Sequence, residues 1–320
     1  MERKGIAVAG SILVDKLNEI SAFPNEGELT KILSVKRAVG GCVPNVAVDL
    51  KRITPDLPVW AIGRIGSDDE GRYAMNVFAE ENVDSSLVRV TDQKTSFTEV
   101  MSVTGGQRTF FTYAGASSQF GFDDMPFDKL QCKMLHLGYF LLLDTVDGGD
   151  GEKILREAKK KGIKTSIDLV SENSDRYSLV LPCLQYTDNL IVNEVEAGAL
   201  TGIEPSRANL RLIAEKLKSY GVKERVILHA PEVGVCFSAD GYTELASYDL
   251  PNGFIKGTTG AGDAFCAGAL TAIYNGKTDL EILSFASSAA VAALSATDAV
   301  SGMRTEEEIG QLCKTLRRKK

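Results

Sequence analysis

The stretch Gly257-Thr258-Thr259-Gly260-Ala261-Gly262-Asp263-Ala264-Phe265 connects a loop to the start of a predicted helix. Apolar side chains recur at helical spacing from Phe265 to Ile273, and Asn275-Gly276 is typical of a helix end. The glycines therefore lie at a helix N-terminus, where unpaired backbone N–H groups and the helix dipole attract an anion such as phosphate. The missing Cβ atoms also let a ligand approach the backbone closely.

Asp263 is poorly suited to bind phosphate itself, because two negative charges repel each other. A carboxylate in this place can instead accept the proton of a hydroxyl group that attacks phosphorus. The amides of Gly260, Ala261 and Gly262 would then stabilise the transferred charge as an anion hole. The alternative is a glycine-rich turn in which Asp263 is an ordinary first-turn helix acid, and this stretch alone does not decide between the two.

The length and composition of the chain indicate a globular protein with a full hydrophobic core. The chain has 320 residues, 44% hydrophobic and 25% charged, which is enough for one large α/β domain or two smaller units. A net charge of −7 argues against a nucleic-acid partner, because phosphate contacts need a basic surface. The sequence has no apolar run of the length of a membrane span, so we expect no membrane partner.

The cysteines are scattered along the chain without a C-x-x-C pair. We therefore expect them to be small buried residues in a reducing, cytoplasmic compartment, and neither zinc ligands nor disulfides. The chain has only two histidines, His136 and His229, which excludes a His-rich metal site. The six cysteines are Cys42, Cys132, Cys183, Cys236, Cys266 and Cys313.

Strands and helices alternate along most of the chain, which predicts a mostly parallel sheet with helices on both faces. We therefore predict an α/β fold with three layers, αβα, and a single domain over residues 1–320. The last two predicted helices, 265–274 and 280–294, are followed by a polar tail. The alternating segments are predicted strands at 134–137, 164–168, 189–192 and 225–228, and predicted helices at 151–161, 175–183, 194–201 and 207–220.

Two strand-rich segments, at about 14–38 and 92–115, do not fit this alternation. We expect them to form a small separate sheet, with a hairpin at Gly105-Gly106. A sheet above the carboxyl ends of the central strands would act as a lid over the binding crevice. The exposed edges of such a lid would also allow a homodimer.

Asn193 follows a predicted strand and opens a helix, with Glu196 in the first turn. Ligands of open parallel sheets bind at the carboxyl ends of the strands, so this pair is placed to hold the water shell of a nucleotide-bound Mg²⁺. The alternative is an N-cap asparagine with first-turn acids, which is a common arrangement.

Asp15 lies just past the first strand, and Asn45 follows Gly40-Gly41 at a predicted helix start. A carboxylate and a carboxamide at neighbouring strand ends can bind adjacent hydroxyl groups of a sugar. The alternative assigns Asp15 to a turn and Asn45 to a helix cap, with no common function.

Taken in order, these segments resemble the pfkB (ribokinase-like) family of carbohydrate kinases. Gly257 to Phe265 resembles the late signature of the family, D-T-x-G-A-G-D. The resemblance covers nearly the whole chain and implies a ribokinase-like fold. The earlier matching segments are Gly10 to Asp15, Gly40-Gly41 with Asn45, Gly63-x-x-Gly66-x-Asp68-x-x-Gly71, Gly106-x-Arg108-Thr109-Phe110 with Gly115-Ala116, and Asn193-x-x-Glu196.

The resemblance implies ATP-dependent phosphorylation of a hydroxymethyl group on a sugar or sugar derivative, with Mg²⁺ bound to the ATP. Asp263 would be the catalytic base, and the amides of Gly260, Ala261 and Gly262 the anion hole. The other implied residues are Asp15, Gly40, Gly41 and Asn45 for substrate hydroxyls, Arg108 for an acidic or phosphorylated substrate, and Asn193, Thr258, Gly260, Gly262 and Glu196 for Mg²⁺–ATP, with Glu196 reaching Mg²⁺ through water.

Three segments depart from the family pattern. Gly257 stands where the family often has an aspartate that helps to bind a monovalent cation, so K⁺ dependence is not implied. His229-Ala230-Pro231 replaces a Thr-x-Gly near the nucleotide, and Pro231 removes an N–H donor. The residues between Gly41 and Asn45 are bulkier than usual. Two alternatives stay open: a nucleoside kinase of the same family, and a non-catalytic sugar-binding or regulatory protein on the same scaffold.

Overall fold

A computed structural model of the protein describes residues 3–103, 108–172 and 174–319. The Gly105-Gly106 hairpin prediction lies outside the described residues. The strands are β1 (Ile6–Gly10), β2 (Leu13–Ile20), β3 (Ile32–Gly40), β4 (Val59–Ile62), β5 (Arg64–Gly66), β6 (Arg89–Thr91), β7 (Ser96–Val103), β8 (Arg108–Tyr113), β9 (Met134–Phe140), β10 (Lys164–Leu169), β11 (Asn189–Asn193), β12 (Arg225–His229), β13 (Val233–Ser238), β14 (Gly241–Ala246), β15 (Tyr248–Asp249) and β16 (Arg317–Arg318). The α-helices are α1 (Cys42–Ile53), α2 (Asp69–Glu80), α3 (Gly151–Lys160), α4 (Leu181–Leu184), α5 (Glu194–Thr201), α6 (Leu210–Ser219), α7 (Ala261–Tyr274), α8 (Asp279–Leu294) and α9 (Glu306–Cys313).

The largest sheet has the strand order β14-β13-β12-β11-β10-β9-β1-β4. Its strands are parallel from β4 to β12, and the antiparallel strands β13 and β14 close one side. The prediction of a mostly parallel α/β sheet is therefore confirmed. Parallel strands joined through helices place all their carboxyl ends at one edge of the sheet, which brings distant parts of the sequence together there.

Two apolar cores lie on opposite faces of this sheet, because successive side chains of a strand point in opposite directions. In β1, Ile6 and Val8 belong to the core shared with α1, α7 and α8. Their neighbours Ala7 and Ala9 belong to the core shared with α3 and α6. This alternation makes the central unit three layers thick, as the sequence predicted.

A smaller sheet, which we call the small sheet, has the strand order β3-β2-β7-β8. Its strand β2 begins only three residues after the end of β1, so the small sheet adjoins the carboxyl edge of the central sheet. Its outer strands carry several exposed apolar side chains: Ile32, Leu33, Val35, Phe110 and Phe111.

Two sequence predictions about helices are wrong in detail. The helix predicted at 175–183 is a 3₁₀ turn at Arg176–Val180 followed by the short α4, and Pro182 fits there because it occupies the first turn of α4. The predicted polar tail contains α9 and β16, and β16 pairs with β15. The guanidinium group of Arg318 donates to the carbonyl oxygen of Ala246 at 2.7 Å, so the charge of this residue is used inside the fold.

No helix among the described residues is both long and apolar enough to span a bilayer.

Gly268 provides a test of the packing between α7 and α8. A Cβ atom at this position would lie 2.8 Å from Ala289 Cβ and 2.9 Å from Ala286 Cα, whereas a Cβ at Gly310 on α9 would meet nothing within 4 Å. We expect Gly268→Ala to lower the unfolding free energy by about 1–3 kcal/mol because α8 must shift. The matched control Gly310→Ala should raise it by up to about 1 kcal/mol, through helix propensity. Thermal denaturation that finds both variants equally stable would contradict this account of the helix contact.

Candidate active site

Several polar residues meet at the carboxyl edge of the central sheet. Tyr139 lies near the end of β9, Asp168 near the end of β10, and His229 at the end of β12. The N-termini of α1 and α7 point to the same place and bring Asn45 and Asp263 with them. These five residues come from five elements that are far apart in the sequence, and the sheet topology alone brings them together.

Asp263 is held by two donors from different elements. Its Oδ2 accepts from Asn45 Nδ2 at 2.9 Å and from the Tyr139 hydroxyl at 3.0 Å, and the residue is 6% exposed. The pKa of this carboxyl is raised to about 7, chiefly by burial and next by the charge of Asp168, against the lowering effect of the bonds from Asn45 and Tyr139. A carboxyl with a pKa near neutrality that is fixed in a cavity is suited to accept a proton.

The helix N-terminus beside Asp263 is shaped by Gly260. Gly260 has a left-handed backbone (φ 78°), and a Cβ atom there would lie 2.5 Å from Ala299 Cα, so only glycine fits. The first-turn amides of α7 have no acceptor within their own helix. Gly260 and Gly262 line a cavity of about 190 Å³ together with Asp263 and Glu196. Two of the three residues of the predicted anion hole therefore line the same cavity as Asp263, whereas Ala261 lines the larger neighbouring cavity and its amide donates to the Thr258 carbonyl oxygen at 3.3 Å.

Next to the small sheet, Gly40 and Gly41 have neighbouring atoms so close that a side chain at either position would clash with them. A Cβ at Gly40 would lie 2.6 Å from Asp15 Oδ2, and a Cβ at Gly41, where φ is 87°, would lie 2.7 Å from Ser11 O. Burial raises the pKa of Asp15 to about 7, and the charge of Arg108 partly opposes this rise. Asn45 follows close by in α1, where its amide donates to the Gly41 carbonyl oxygen at 3.2 Å.

Arg108 connects the small sheet to the loop before α7. It begins β8, and its guanidinium group donates to the Thr259 hydroxyl. The small sheet therefore touches the loop that carries the glycines, and the charge of Arg108 lies close enough to Asp15 to affect its pKa.

Asn193 and Glu196 form the helix cap that the sequence left open as an alternative. Asn193 Oδ1 accepts from the Glu196 amide at 2.8 Å, and Glu196 Oε2 accepts from the Asn193 amide at 3.1 Å. Glu196 Oε1 accepts from the Ser171 hydroxyl at 2.7 Å. Burial raises the pKa of Glu196 to about 8. The capping contact does not remove this carboxylate from the site, because Glu196 also lines the 190 Å³ cavity with Asp263.

A second cavity of about 610 Å³ adjoins the first, and Asn193, His229 and Gly262 line both. Thr258 lines the larger cavity, as do several apolar residues. His229 lies against Phe265, with ring centroids 4.9 Å apart, and burial lowers the pKa of its imidazole to about 4. The apolar lining includes Val233, Leu250, Ile255, Phe265, Ala290, Val291 and Leu294.

The sequence analysis missed the roles of Tyr139 and Asp168 in this arrangement. Asp168 was the last residue of a predicted strand, so the strand-end rule could have identified it. Tyr139 gave no such signal, because it contacts Asp263 only through a left-handed backbone (φ 61°) that is rare for tyrosine. The Asp168 side chain holds this conformation, since its Oδ1 accepts from the Tyr139 amide at 2.6 Å.

The sequence pattern of the pfkB family carbohydrate kinases matches residues 3–306. The chain is 27% identical to a ribokinase from Haemophilus influenzae, over 96% of this chain and 97% of that protein. It is 25% identical to a ribokinase from Arabidopsis thaliana, over 97% of this chain and 81% of that protein. A 5-dehydro-2-deoxygluconokinase from Clostridium perfringens is 24% identical, over 89% of this chain and 87% of that protein.

Solved structures show the same fold. The crystal structure of a ribokinase from Thermotoga maritima superposes with a TM-score of 0.81 at 21% identity and covers 98% of this chain and 100% of that chain. The structure of the Arabidopsis thaliana ribokinase complexed with ribose and ATP superposes with a TM-score of 0.83 at 23% identity, over 98% of this chain and 99% of that chain. The ribokinase-like fold is therefore confirmed, and the family match over almost the whole chain shows that this protein belongs to the pfkB family of carbohydrate kinases.

Proposed function

We propose that this carbohydrate kinase transfers the γ-phosphoryl group of ATP to a hydroxymethyl group of a sugar or sugar derivative. The observation that carries the proposal is the position of Asp263, which shares one cavity with the glycines at the N-terminus of α7. A base and an anion hole that face the same space are the two groups that in-line phosphoryl transfer to an alcohol requires.

In this mechanism, Asp15, Asn45 and the backbone at Gly40-Gly41 bind substrate hydroxyl groups. Asp263 accepts the proton of the attacking hydroxyl, and the amides of Gly260, Ala261 and Gly262 stabilise the charge of the transferred group. The base and ribose of ATP occupy the 610 Å³ cavity beside Thr258, whose apolar walls suit a purine ring. The small sheet acts as a lid, and Arg108 binds an acidic or phosphorylated part of the substrate.

The residues around Glu196 fit Mg²⁺ held through water. Both oxygens of Glu196 already accept hydrogen bonds, so direct coordination would break the helix cap. Mg²⁺ keeps most of its water shell in nucleotide complexes, and a carboxylate that lines the cavity can accept from those waters. Mg²⁺ supplies charge neutralisation of the phosphates when it is bound. Gly257 provides no carboxylate for a monovalent cation, so the proposed cofactors are ATP and Mg²⁺ without a K⁺ requirement.

A substrate screen tests this proposal. Release of ADP from Mg²⁺–ATP would be measured with a panel of ketoses, aldoses, sugar acids and nucleosides. A sugar as the best acceptor supports the proposal, whereas a nucleoside would support the nucleoside kinase instead. Failure of every acceptor, together with a thermal shift on sugar binding, would support the non-catalytic alternative.

Asp263→Asn should remove the base while it keeps the size of the side chain. We expect kcat to fall by about 10²–10⁴-fold, because the attacking hydroxyl loses its proton acceptor. The thermal shift caused by the sugar should remain, since Asn45 and Asp15 still bind it. The matched control is Asp240→Asn in the exposed turn before β14, which should keep the full rate. An Asp263→Asn enzyme with an unchanged kcat would refute the role of Asp263.

The pH dependence of the reaction should follow the Asp263 carboxyl. Its pKa is raised to about 7, so the base form is lost as the pH falls through about 7, and kcat/KM should then fall about tenfold per pH unit. Tyr139→Phe removes a hydrogen bond that lowers this pKa and should move the acidic limb to higher pH.

The controls for this pH profile concern the neighbouring groups. Asp15 on β2 and Asp168 on β10 also face Asp263, and both carboxylates stay in place in Tyr139→Phe. Tyr220→Phe, at the end of α6 and away from the site, should leave the profile unchanged. An acidic limb at the same pH in Tyr139→Phe and in the unsubstituted enzyme would exclude Asp263 as the titrating group.

We also propose a cytoplasmic location, which the six free thiols support, and a homodimer formed through the small sheet. Val35 on the outer strand β3 is 68% exposed, and Phe110 and Phe111 on the other outer strand are each 58% exposed. Exposed apolar side chains on open strand edges favour pairing with a second copy. Val35→Glu should therefore convert a dimer into a monomer in light scattering, whereas Leu212→Glu on α6 should not. A monomeric unsubstituted protein would contradict the proposal.

A further inference from the structure

Behind the catalytic cavity, four side chains of the kind that bind metals converge. Three of them, Cys42 at the start of α1, His136 on β9 and Asp168 on β10, have ligand atoms within 4.8 Å of one another, and the fourth, Cys266 on α7, has its Sγ 3.5 Å from His136 Nε2. We propose that these four residues form a binding site for a thiophilic divalent cation such as Zn²⁺, and that its occupancy inhibits the kinase. The inhibition rests on the proposed function, whereas the metal site stands on its own geometry.

The spacing of the ligand atoms fits a tetrahedral ion. Zn²⁺ binds nitrogen and oxygen at about 2.0–2.2 Å and sulfur at about 2.3 Å, which places tetrahedral ligand atoms about 3.3–3.8 Å apart. His136 Nε2 lies 3.4 Å from Asp168 Oδ2 and 3.5 Å from Cys266 Sγ. Cys42 Sγ lies within 4.8 Å of the His136 and Asp168 ligand atoms. Side-chain movement at both Cys42 and Cys266 would bring the two sulfur atoms to the distances of a tetrahedral site.

The surroundings of the four residues support a metal site. Cys42 and His136 are fully buried, and His136 Nδ1 is bound to the Ser166 hydroxyl at 3.0 Å. This contact fixes the ring and leaves Nε2 directed at Asp168 and Cys266, as an outer-shell partner does in known zinc sites. Gly138 makes the approach possible, because a Cβ atom there would lie 1.9 Å from Cys42 Sγ and 2.8 Å from Asp168 Oδ1.

An ion can reach this place through the catalytic cavity. Asp168 and Cys266 line the 190 Å³ cavity together with Asp263. The ligand set selects a thiophilic ion over Mg²⁺, because thiolate and imidazole suit Zn²⁺, whereas Mg²⁺ requires oxygen ligands. Binding converts the two thiols to thiolates and releases two protons to the solvent, so it strengthens as the pH rises.

A metal ion bound at this site would affect Asp263 through two successive contacts. Asp168 holds the backbone of Tyr139, and the Tyr139 hydroxyl donates to Asp263. An ion bound to Asp168 competes for the carboxylate that fixes Tyr139 and places positive charge near Asp263. Loss of the contact between Asp168 and Tyr139 releases the Tyr139 hydroxyl from Asp263, so the base is no longer held in place for proton transfer.

The sequence analysis expected no zinc ligands, because no two cysteines are close in the sequence. The fold changes this interpretation, since α1 and α7 pack together and bring both Cys42 and Cys266 to His136. Cys132 and Cys183 provide a contrast, because they are buried in the apolar core on the other face of the sheet. Within the described residues, the cluster around His136 is the one group of this kind.

Titration with Co²⁺ tests the site without any kinase assay. We expect one Co²⁺ per chain, with a thiolate-to-cobalt charge-transfer band and the strong visible bands of tetrahedral cobalt, and we expect one equivalent of Zn²⁺ to abolish them. Cys42→Ser and Cys266→Ser should each lose the charge-transfer intensity of one sulfur, and the double variant should lose it all. Cys132→Ser and Cys183→Ser should keep the full spectrum.

Two results would overturn the metal site. One is an unsubstituted protein that binds no Co²⁺ at micromolar concentration, and this result needs no variant to fold. The other is a charge-transfer band that survives in the double variant, provided that circular dichroism shows it folded.

The inhibition is tested separately, as the ratio of the kinase rate with and without micromolar Zn²⁺ in millimolar Mg²⁺–ATP. We expect at least a tenfold loss in the unsubstituted enzyme, and a ratio near one in the double variant. Tight Co²⁺ binding with an unchanged rate would overturn the inhibitory role. A protein without kinase activity would contradict the proposed function and leave the cobalt spectrum unaffected.

Discussion

The candidate active site is built around one group that is unfavourable to bury, the carboxylate of Asp263. Removal of a carboxylate from water is costly unless donors replace the lost hydrogen bonds. Here the donors are Asn45 from α1 and Tyr139 from β9, so the carboxylate ties two helices and the sheet edge together. The two hydrogen bonds offset only part of the free-energy cost of burying the charge, because the pKa of Asp263 is still raised to about 7. The incomplete compensation is what leaves the group able to take up a proton.

The position of this carboxylate is set by how α7 begins and by what α7 packs against. Gly260 turns the chain into the helix with a backbone that a side chain would clash with, since Ala299 lies directly beside it. Further along, Gly268 lets α7 approach α8 closely at Ala286 and Ala289. Small residues therefore fix the helix at both places, and this fixes the direction of its N-terminal amides. A precise anion hole requires such a rigid support.

The three-layer arrangement could be predicted from the sequence. Strands and helices that alternate along the chain, each with its own spacing of apolar residues, determine a parallel sheet almost by themselves. The strand-end pattern placed Asp15 beside Asn45, and the family resemblance implied that both share a site with Asp263. The contact between Tyr139 and Asp263 could not be predicted, because it depends on a rare tyrosine backbone that Asp168 stabilises. The proximity of Cys42 and His136 could not be predicted either, because it depends on tertiary packing and on the space at Gly138.

The site contains more negative charge than a phosphate site would be expected to have. Asp168, Glu196 and Asp263 line one small cavity, and the pKa values of Glu196 and Asp263 are raised mainly by burial. Whenever these carboxyl groups are ionised, they repel a polyphosphate. A divalent ion bound to the nucleotide turns this repulsion into attraction, because the carboxylates then attract the complex through the water shell of the ion. In the proposed mechanism the acids therefore favour the metal complex over the free nucleotide, and Asp168 also belongs to the proposed site for a thiophilic ion.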